Sequence, residues 1–411
     1  MSQTNKLKIF NDPIYGFITI PNTLIYDLIQ HPYFQRLRRI SQMGMSYLVY
    51  PGAHHTRFHH ALGCMHIMQK AIQTLQSKGV LISKEEENAL LIAILLHDIG
   101  HGPFSHAMEH SIVEDIHHEA ISLLFMNQLN VEFNGQLTLA IQIFKGEYHK
   151  KFMYQLISSQ LDMDRMDYLK RDSFYSGVAE GNINSDRLIQ MMNVQDDFLV
   201  IEEKGIYSVE KFLMARRLMY WQTYLHKTSV VAEIILTKIL KRAKELTQKE
   251  IHLNASQSLL YFLKNKVIAV NFDAKTLHTF AYLDDYDIIG ALKEWQFNSD
   301  FVLSSLCKMI LERDLLKIQI TSDKPHKEKL LELKEKLNNL HPLSENELSY
   351  FIFKGKLKNQ AYNKSDEPIR ILKKDKTIED VLEASDQMYL KALSKTVTKY
   401  FICYPKVLLD T

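Results

Sequence analysis

Cysteine is nearly missing from this chain. Its three cysteines, Cys64, Cys307 and Cys403, lie far apart among 411 residues and form no CxxC pair. That excludes a disulfide framework and a thiolate metal site, and fits a reducing cytosol. No apolar run approaches the roughly 20 residues of a membrane span. The opening residues, Met-Ser-Gln-Thr-Asn-Lys, lack the apolar stretch of a signal peptide, so a cytoplasmic location is expected. Neither sign of charge prevails, with 50 basic and 48 acidic residues and a net charge of +2. Nucleic acid and membrane are therefore not indicated as partners, although local basic groups can still serve an anionic substrate. Glycine and proline are scarce, at 14 and 9. Few turn-formers and many Leu, Ile, Lys and Glu argue for a mainly α-helical chain.

The length suggests two or three domains. Residues 7–20 alternate around Asn11-Asp12-Pro13 and Gly16 and read as a short β-ribbon. Helices are predicted over 23–30, 33–43 and 57–75, the last with Ala61, Cys64, Met65, Met68 and Ile72 on one face. Ser83-Lys84-Glu85-Glu86 is a capping sequence for a helix ending at His97. Further helices are predicted over 109–129, 152–169 and 208–246. Beyond residue 250 the texture changes. Residues 324–340 read as a solvated, charged helix. Three strands are predicted, at 350–353, 369–372 and 397–404, with a helix over 378–393. The expected segments are a catalytic core over 1–250, a helical extension over 251–341, and a small C-terminal α/β lobe over 342–411 for assembly or regulation.

The densest chemistry follows the apolar run Ala89–Leu96. Residues 97–106 read His-Asp-Ile-Gly-His-Gly-Pro-Phe-Ser-His. Imidazoles and carboxylates are costly to bury unless something binds them, and a divalent ion suits an adjacent His97–Asp98 pair. A full site needs more ligands. Asp164 is one candidate: Asp162 lies two residues away and diverges from it on a helix. His60, one turn after Arg57, is the other. Two histidines and two carboxylates leave positions open for water and substrate, the pattern of a catalytic metal.

The order His60, His97-Asp98, Asp164 resembles the signature of HD-superfamily metal-dependent phosphohydrolases. Longer blocks resemble one branch, the deoxynucleoside triphosphate triphosphohydrolases: Asn11-Asp12-Pro13-Ile14-x-Gly16, Phe34-Gln35-Arg36-Leu37-Arg38, Tyr50-Pro51-Gly52-Ala53, Thr56-Arg57-Phe58-x-His60, and Asp162-x-Asp164-x-x-Asp167-Tyr168-x-x-Arg171-Asp172. The resemblance covers roughly residues 7–240. It implies an HD-domain helical core and release of deoxynucleoside and intact triphosphate from a dNTP. It implies one divalent ion (Fe, Mn, Zn, Ni or Mg are not distinguished), with magnesium accompanying the substrate triphosphate as a further option. A homo-oligomer, dimer or tetramer, is also expected.

The same resemblance implies individual roles. His106 would be the proton donor, backed by a relay of Glu109 and His118, where the family more often has Asp at the first of these. Arg57, His101, Arg165 and Arg216 would face the phosphates, with Lys more usual at the position of Arg165. Gln42 and Asp172 would meet the 3′-hydroxyl. Met43, Tyr168 and Tyr224 would crowd the sugar and exclude a 2′-hydroxyl by clash. Leu225 stands where the family can have Gln against the base, which predicts weak base discrimination. The animal relative reads guanine at a second site with an Asp that Leu28-Ile29-Gln30-His31-Pro32 lacks, though Gln35 and Arg38 persist. A guanine-selective effector is not expected, and other nucleotide effectors stay open. The alternatives are another HD phosphohydrolase, acting on a monophosphate or signalling nucleotide, and a non-catalytic nucleotide or nucleic-acid binding protein of the same fold.

Overall fold

The computed structural model describes residues 8–104, 107–108, 111–113, 116–365, 367–387 and 389–409. The chain is mainly helical, with three small sheets. A hairpin of β1 (Ile9–Asp12) and β2 (Gly16–Thr19) opens it, turning where the Asp12 carboxylate accepts the N–H groups of Ile14 and Tyr15. At the centre lie the Arg57–Ser77 and Lys84–Leu96 helices. Residues 89–96 are all buried, so this second helix is apolar on every side and forms the axis of the core. It starts where the capping sequence predicts. Ser83 accepts the Glu86 N–H at 3.2 Å and the Glu86 carboxylate accepts the Ser83 N–H at 2.8 Å.

Several predicted helices are broken, each for a local reason. The stretch 33–43 is a turn of helix over Pro32–Gln35, then 3₁₀ over Arg36–Arg39, before Ile40 turns extended and Ser41 bridges to Thr56. The start of the helix predicted over 109–129 lies outside the described residues, and its later part is the His118–Glu132 helix. There the Ser122 hydroxyl donates to the His97 carbonyl and accepts the Gly100 N–H, tying the helix to the loop after Leu96. The stretch 152–169 divides into Lys151–Ile157 and Met163–Ser176. The Asp162 carboxylate takes the N–H groups of Ser159 and Arg165, capping the second helix rather than continuing the first. The long helix over 208–246 divides too, into Ile206–Met219 and Lys227–Gln248, around a π-helical turn at Tyr220–Tyr224. Such turns cluster at functional sites.

The C-terminal part is woven into the rest. β5 (Lys317–Thr321) and β6 (Phe353–Asn359) flank β9 (Val397–Tyr404). β3 (Met192–Gln195) and β4 (Phe198–Glu202) continue into β7 (Arg370–Leu372) and β8 (Ile378–Asp380), β4 and β7 pairing in parallel. The predicted helix over 378–393 is thus β8 followed by short helices at Val381–Ala384 and Tyr389–Leu393. The Asp380 carboxylate caps the first of them through the Leu382 N–H. The predicted strand at 350–353 is the end of an Glu345–Phe351 helix, and β6 begins after it. Residues 342–411 therefore share one sheet with 317–321 and the other with 192–202. No helix among the described residues is long and apolar enough to cross a membrane.

Candidate active site

Four side chains from three helices and the loop between them converge. His60 comes from the first turn of the Arg57–Ser77 helix, His97 and Asp98 from the end of Lys84–Leu96, and Asp164 from the start of Met163–Ser176. His60 Nε2 lies 3.1 Å from Asp164 Oδ1 and 3.7 Å from Asp98 Oδ2. His97 Nε2 lies 3.4 Å from Asp98 Oδ1 and 3.5 Å from Asp164 Oδ1. His60 is wholly buried, while the Asp164 side chain is 27% exposed and marks the mouth.

The donors fit a divalent ion. His97 Nδ1 donates to the Ile94 carbonyl at 2.7 Å, which leaves Nε2 as the free lone pair, and that buried atom makes no hydrogen bond. His60 Nδ1 donates to Asp167 at 2.8 Å, fixing the same tautomer. Two imidazole nitrogens and two carboxylates are a donor set shared by several first-row metals and magnesium. Despite burial, the neighbouring histidines, with Arg57 beside Asp98, hold the carboxyls of Asp98 and Asp164 well below the usual carboxylate range. Cys64 joins His60, His97 and Asp164 in one compact group, but burial pushes its thiol up and its sulfur sits 3.5 and 3.6 Å from the two nitrogens of His60, beside the ring.

Behind His60 runs a chain of charges that sequence reading quoted without assigning. Asp167 accepts from Arg171 Nε at 2.8 Å and Nη2 at 2.9 Å, and Arg171 Nη1 reaches Asp12 at 2.7 Å. Burial opposes ionisation of Asp167, yet Arg171 and His60 bring its carboxyl down to about 2. Gly63 is forced here: a Cβ would lie 2.0 Å from Asp167 Oδ1 and 2.2 Å from Arg171 Nη2. The only sequence signal was spacing, Asp167 being one turn after Asp164 and one before Arg171.

Around the mouth lie the expected phosphate-facing residues. Arg57 Nη1 donates to Asp98 at 2.6 Å. Arg165 pairs with Asp162, and the charges of Arg216, Arg165 and Asp164 all act on the hydroxyl of Tyr168. Buried guanidinium nitrogens go without a hydrogen bond at Arg57 Nε, Arg165 Nε, and Arg216 Nε and Nη1. His101 Nε2 lies 3.2 Å from Asp98 Oδ1, and its ring stacks on His118 at 3.8 Å. Burial and the Arg57 charge keep His101 neutral, well below the usual imidazole range. His106 and Glu109 lie outside the described residues.

The residues expected to meet the sugar form a second cluster. Asp172 takes the Tyr224 hydroxyl at 2.7 Å, and Tyr168 packs edge-on against Tyr224 at 6.0 Å. Met43 is buried beside Gln42, whose Oε1 is buried without a partner. Two further residues, given no role in the sequence expectations, brace the loops around the site. Asp285 accepts the N–H groups of Ser41 at 2.8 Å and Phe104 at 3.2 Å. Phe104 holds a left-handed φ of 45°, uncommon for a bulky side chain. Arg36, fully buried, donates to the carbonyls of Ile99 at 2.7 Å and His101 at 2.9 Å. No sequence pattern marks Asp285, whose partners lie 244 and 181 residues away.

The family model of the HD domain matches residues 57–172, the span that carries all four converging side chains, and the HD associated region follows over 183–269. The chain belongs to the HD-domain phosphohydrolase family. The protein YwfO of Bacillus subtilis is 36% identical over 316 residues, 75% of this chain and 71% of that one. The deoxynucleoside triphosphate triphosphohydrolase SAMHD1 homolog of Dictyostelium discoideum is 28% identical, over 77% of this chain and 68% of that one. Among solved structures, a phosphohydrolase of Bacteroides thetaiotaomicron is 50% identical, with a TM-score of 0.94 over 97% of this chain and all of that one. Among the described residues two neighbouring groups could hold the family's divalent ion: Cys64 with His60, His97 and Asp164, and His118 with Asp98 and His101, the two meeting where His97 and His60 approach Asp98.

Proposed function

We propose that this HD phosphohydrolase cleaves deoxynucleoside triphosphates to deoxynucleoside and inorganic triphosphate. The observation that carries this reading is the set of buried guanidinium nitrogens without partners, on Arg57, Arg165 and Arg216, beside the converging His60, His97, Asp98 and Asp164. A buried donor without an acceptor is costly, and a polyanion supplies the missing acceptors. Arginine forks suit phosphate oxygens. The similarity to the Dictyostelium triphosphohydrolase supports the choice of substrate.

A divalent ion held by the two histidines and two aspartates would polarise a phosphoryl oxygen and make water more acidic. The chain's own groups do the rest. Arg165 and Arg216 bind and orient the triphosphate. His101, kept neutral by burial and by Arg57, offers a hydrogen bond without competing for the anion's charge. His106 delivers the proton to the leaving 5′ oxygen, and His118 with Glu109 replenishes it. Gln42 Oε1 accepts from the 3′-hydroxyl, while Met43, Tyr168 and Tyr224 close the space of a 2′-hydroxyl. The test is product chromatography after incubation of the metal-loaded protein with each of the four dNTPs. Deoxynucleoside plus triphosphate is expected from at least one. Monophosphate plus pyrophosphate, or turnover confined to monophosphates, would overturn the reading.

A further inference from the structure

We propose that His55 is the positioning residue of the sugar subsite, holding both groups that meet the 3′-hydroxyl. This rests on the deoxynucleotide reading of the pocket. His55 is 2% exposed and lies on the strand-like turn before the Arg57–Ser77 helix. Its Nε2 is 2.7 Å from Asp172 Oδ1, a residue 117 positions away. An ionised carboxylate only accepts, so His55 donates and its proton sits on Nε2. Its Nδ1 is buried with no hydrogen bond, so nothing on the other side of the ring competes for that tautomer. The ring stacks on Tyr175 at 4.4 Å and 15°, which blocks rotation about the side chain.

The same residue acts through its main chain. The His55 carbonyl accepts the Gln42 N–H at 3.0 Å, beside the Ser41–Thr56 bridge. One residue thus fixes the backbone that carries Gln42 and the carboxylate of Asp172. With Tyr224 donating to Oδ2 at 2.7 Å, each Asp172 oxygen holds one donor. A carboxylate has about four acceptor directions, so room remains for one more hydroxyl. Gln42 Oε1, buried and unpartnered, lacks a donor of its own. A 3′-hydroxyl shared between them completes the cluster. Without the His55 donor, Asp172 is tethered on one side only and is free to swing toward Tyr224.

The experiment compares kcat/KM for a dNTP and its 2′,3′-dideoxy counterpart in the metal-loaded wild type and in His55→Phe, His55→Leu and His55→Gln. The wild type is expected to prefer the 3′-hydroxyl substrate. His55→Phe, which keeps a ring against Tyr175 but has no donor, should lower that preference about tenfold or more. His55→Leu carries the same expectation and decides the matter if the Phe variant does not fold. His55→Gln, whose amide can donate to Asp172, should recover part of the preference. A donorless variant with native melting temperature, native metal content and unchanged preference would overturn the role of His55 alone. So would equal loss in the Gln and donorless variants, which would trace the effect to packing. A wild type that prefers neither nucleotide overturns the proposal, and one inert toward all dNTPs overturns the functional reading beneath it.

Discussion

On the side of the pocket where an ion is expected, both histidines are backed by a neighbour. His60 leans on Asp167, Asp167 on Arg171, Arg171 on Asp12, and His97 on the Ile94 carbonyl. On the side expected to face phosphate, nitrogens of Arg57, Arg165 and Arg216 are buried with nothing to donate to. The first side is pre-organised and self-sufficient, apart from the lone pairs turned inward. The second is incomplete until an anion arrives. Folding tolerates few unsatisfied buried groups, so where they gather on one wall they record the shape and charge of what binds there.

The contrast can be broken most sharply at its centre. Asp98→Ala should abolish metal retention and turnover together, with activity down by at least about a thousandfold, as read by elemental analysis and product chromatography. Retained metal with lost activity would move Asp98 to the other side of the comparison. Next is Arg216→Met, which removes unpaired donors rather than a partnered one. It should cut kcat/KM by about a hundredfold while leaving the melting temperature equal or higher, because no internal hydrogen bond is lost. A lower melting temperature would mean that the guanidinium serves the fold. Asp167→Asn tests the backed side. Metal affinity should fall about 10- to 100-fold, and stability by about 2–4 kcal/mol, because Arg171 loses its charged partner inside the core. Titration with metal and urea unfolding separate the two effects.

The smallest effect concerns Glu233, half-buried behind the Gly44 turn that follows Gln42 and Met43; a Cβ on Gly44 would lie 3.2 Å from its Oε1. Burial alone pushes its carboxyl up to about 7. Folding therefore favours the protonated form. That contribution is whole below the ordinary carboxyl range near pH 4.5 and is lost as pH rises through about 7. Glu233→Gln should flatten the fall, making the variant more stable than the parent at pH 8 by about 1–2 kcal/mol. Urea unfolding at pH 5 and pH 8 checks the sign. Equal pH profiles would show that water already reaches the carboxylate.

The metal-facing side was the more legible in the sequence. An adjacent His97–Asp98 pair after a wholly apolar run has few bland explanations, and the helix start at Ser83 follows from its own capping residues. Legibility failed where a role depends on a distant partner. Asp167 stood in plain view within a recognisable block, yet its use comes from His60, 107 residues earlier. His55 was one of several neighbouring histidines, and only the fold turns it toward Asp172. Breaks inside apolar runs escaped for a related reason. Periodicity over 152–169 and 208–246 is continuous, and what interrupts those helices is a side-chain cap at Asp162 and a π-helical turn that frees Tyr224 to reach Asp172. β7 falls within the strand expected at 369–372, whereas β8, three residues long, is too short for alternation to register and reads as helix.

The carboxylate of Asp285 spans two amides from opposite walls, at Ser41 and Phe104. During synthesis, a nascent polypeptide that has emerged only to residue 250 already contains His60, His97, Asp98 and Asp164. Its two walls are already tied by Arg36, which donates to the Ile99 and His101 carbonyls, and lack only the Asp285 bridge. The second tie, through Asp285, forms only once translation is past the segment that holds those four residues.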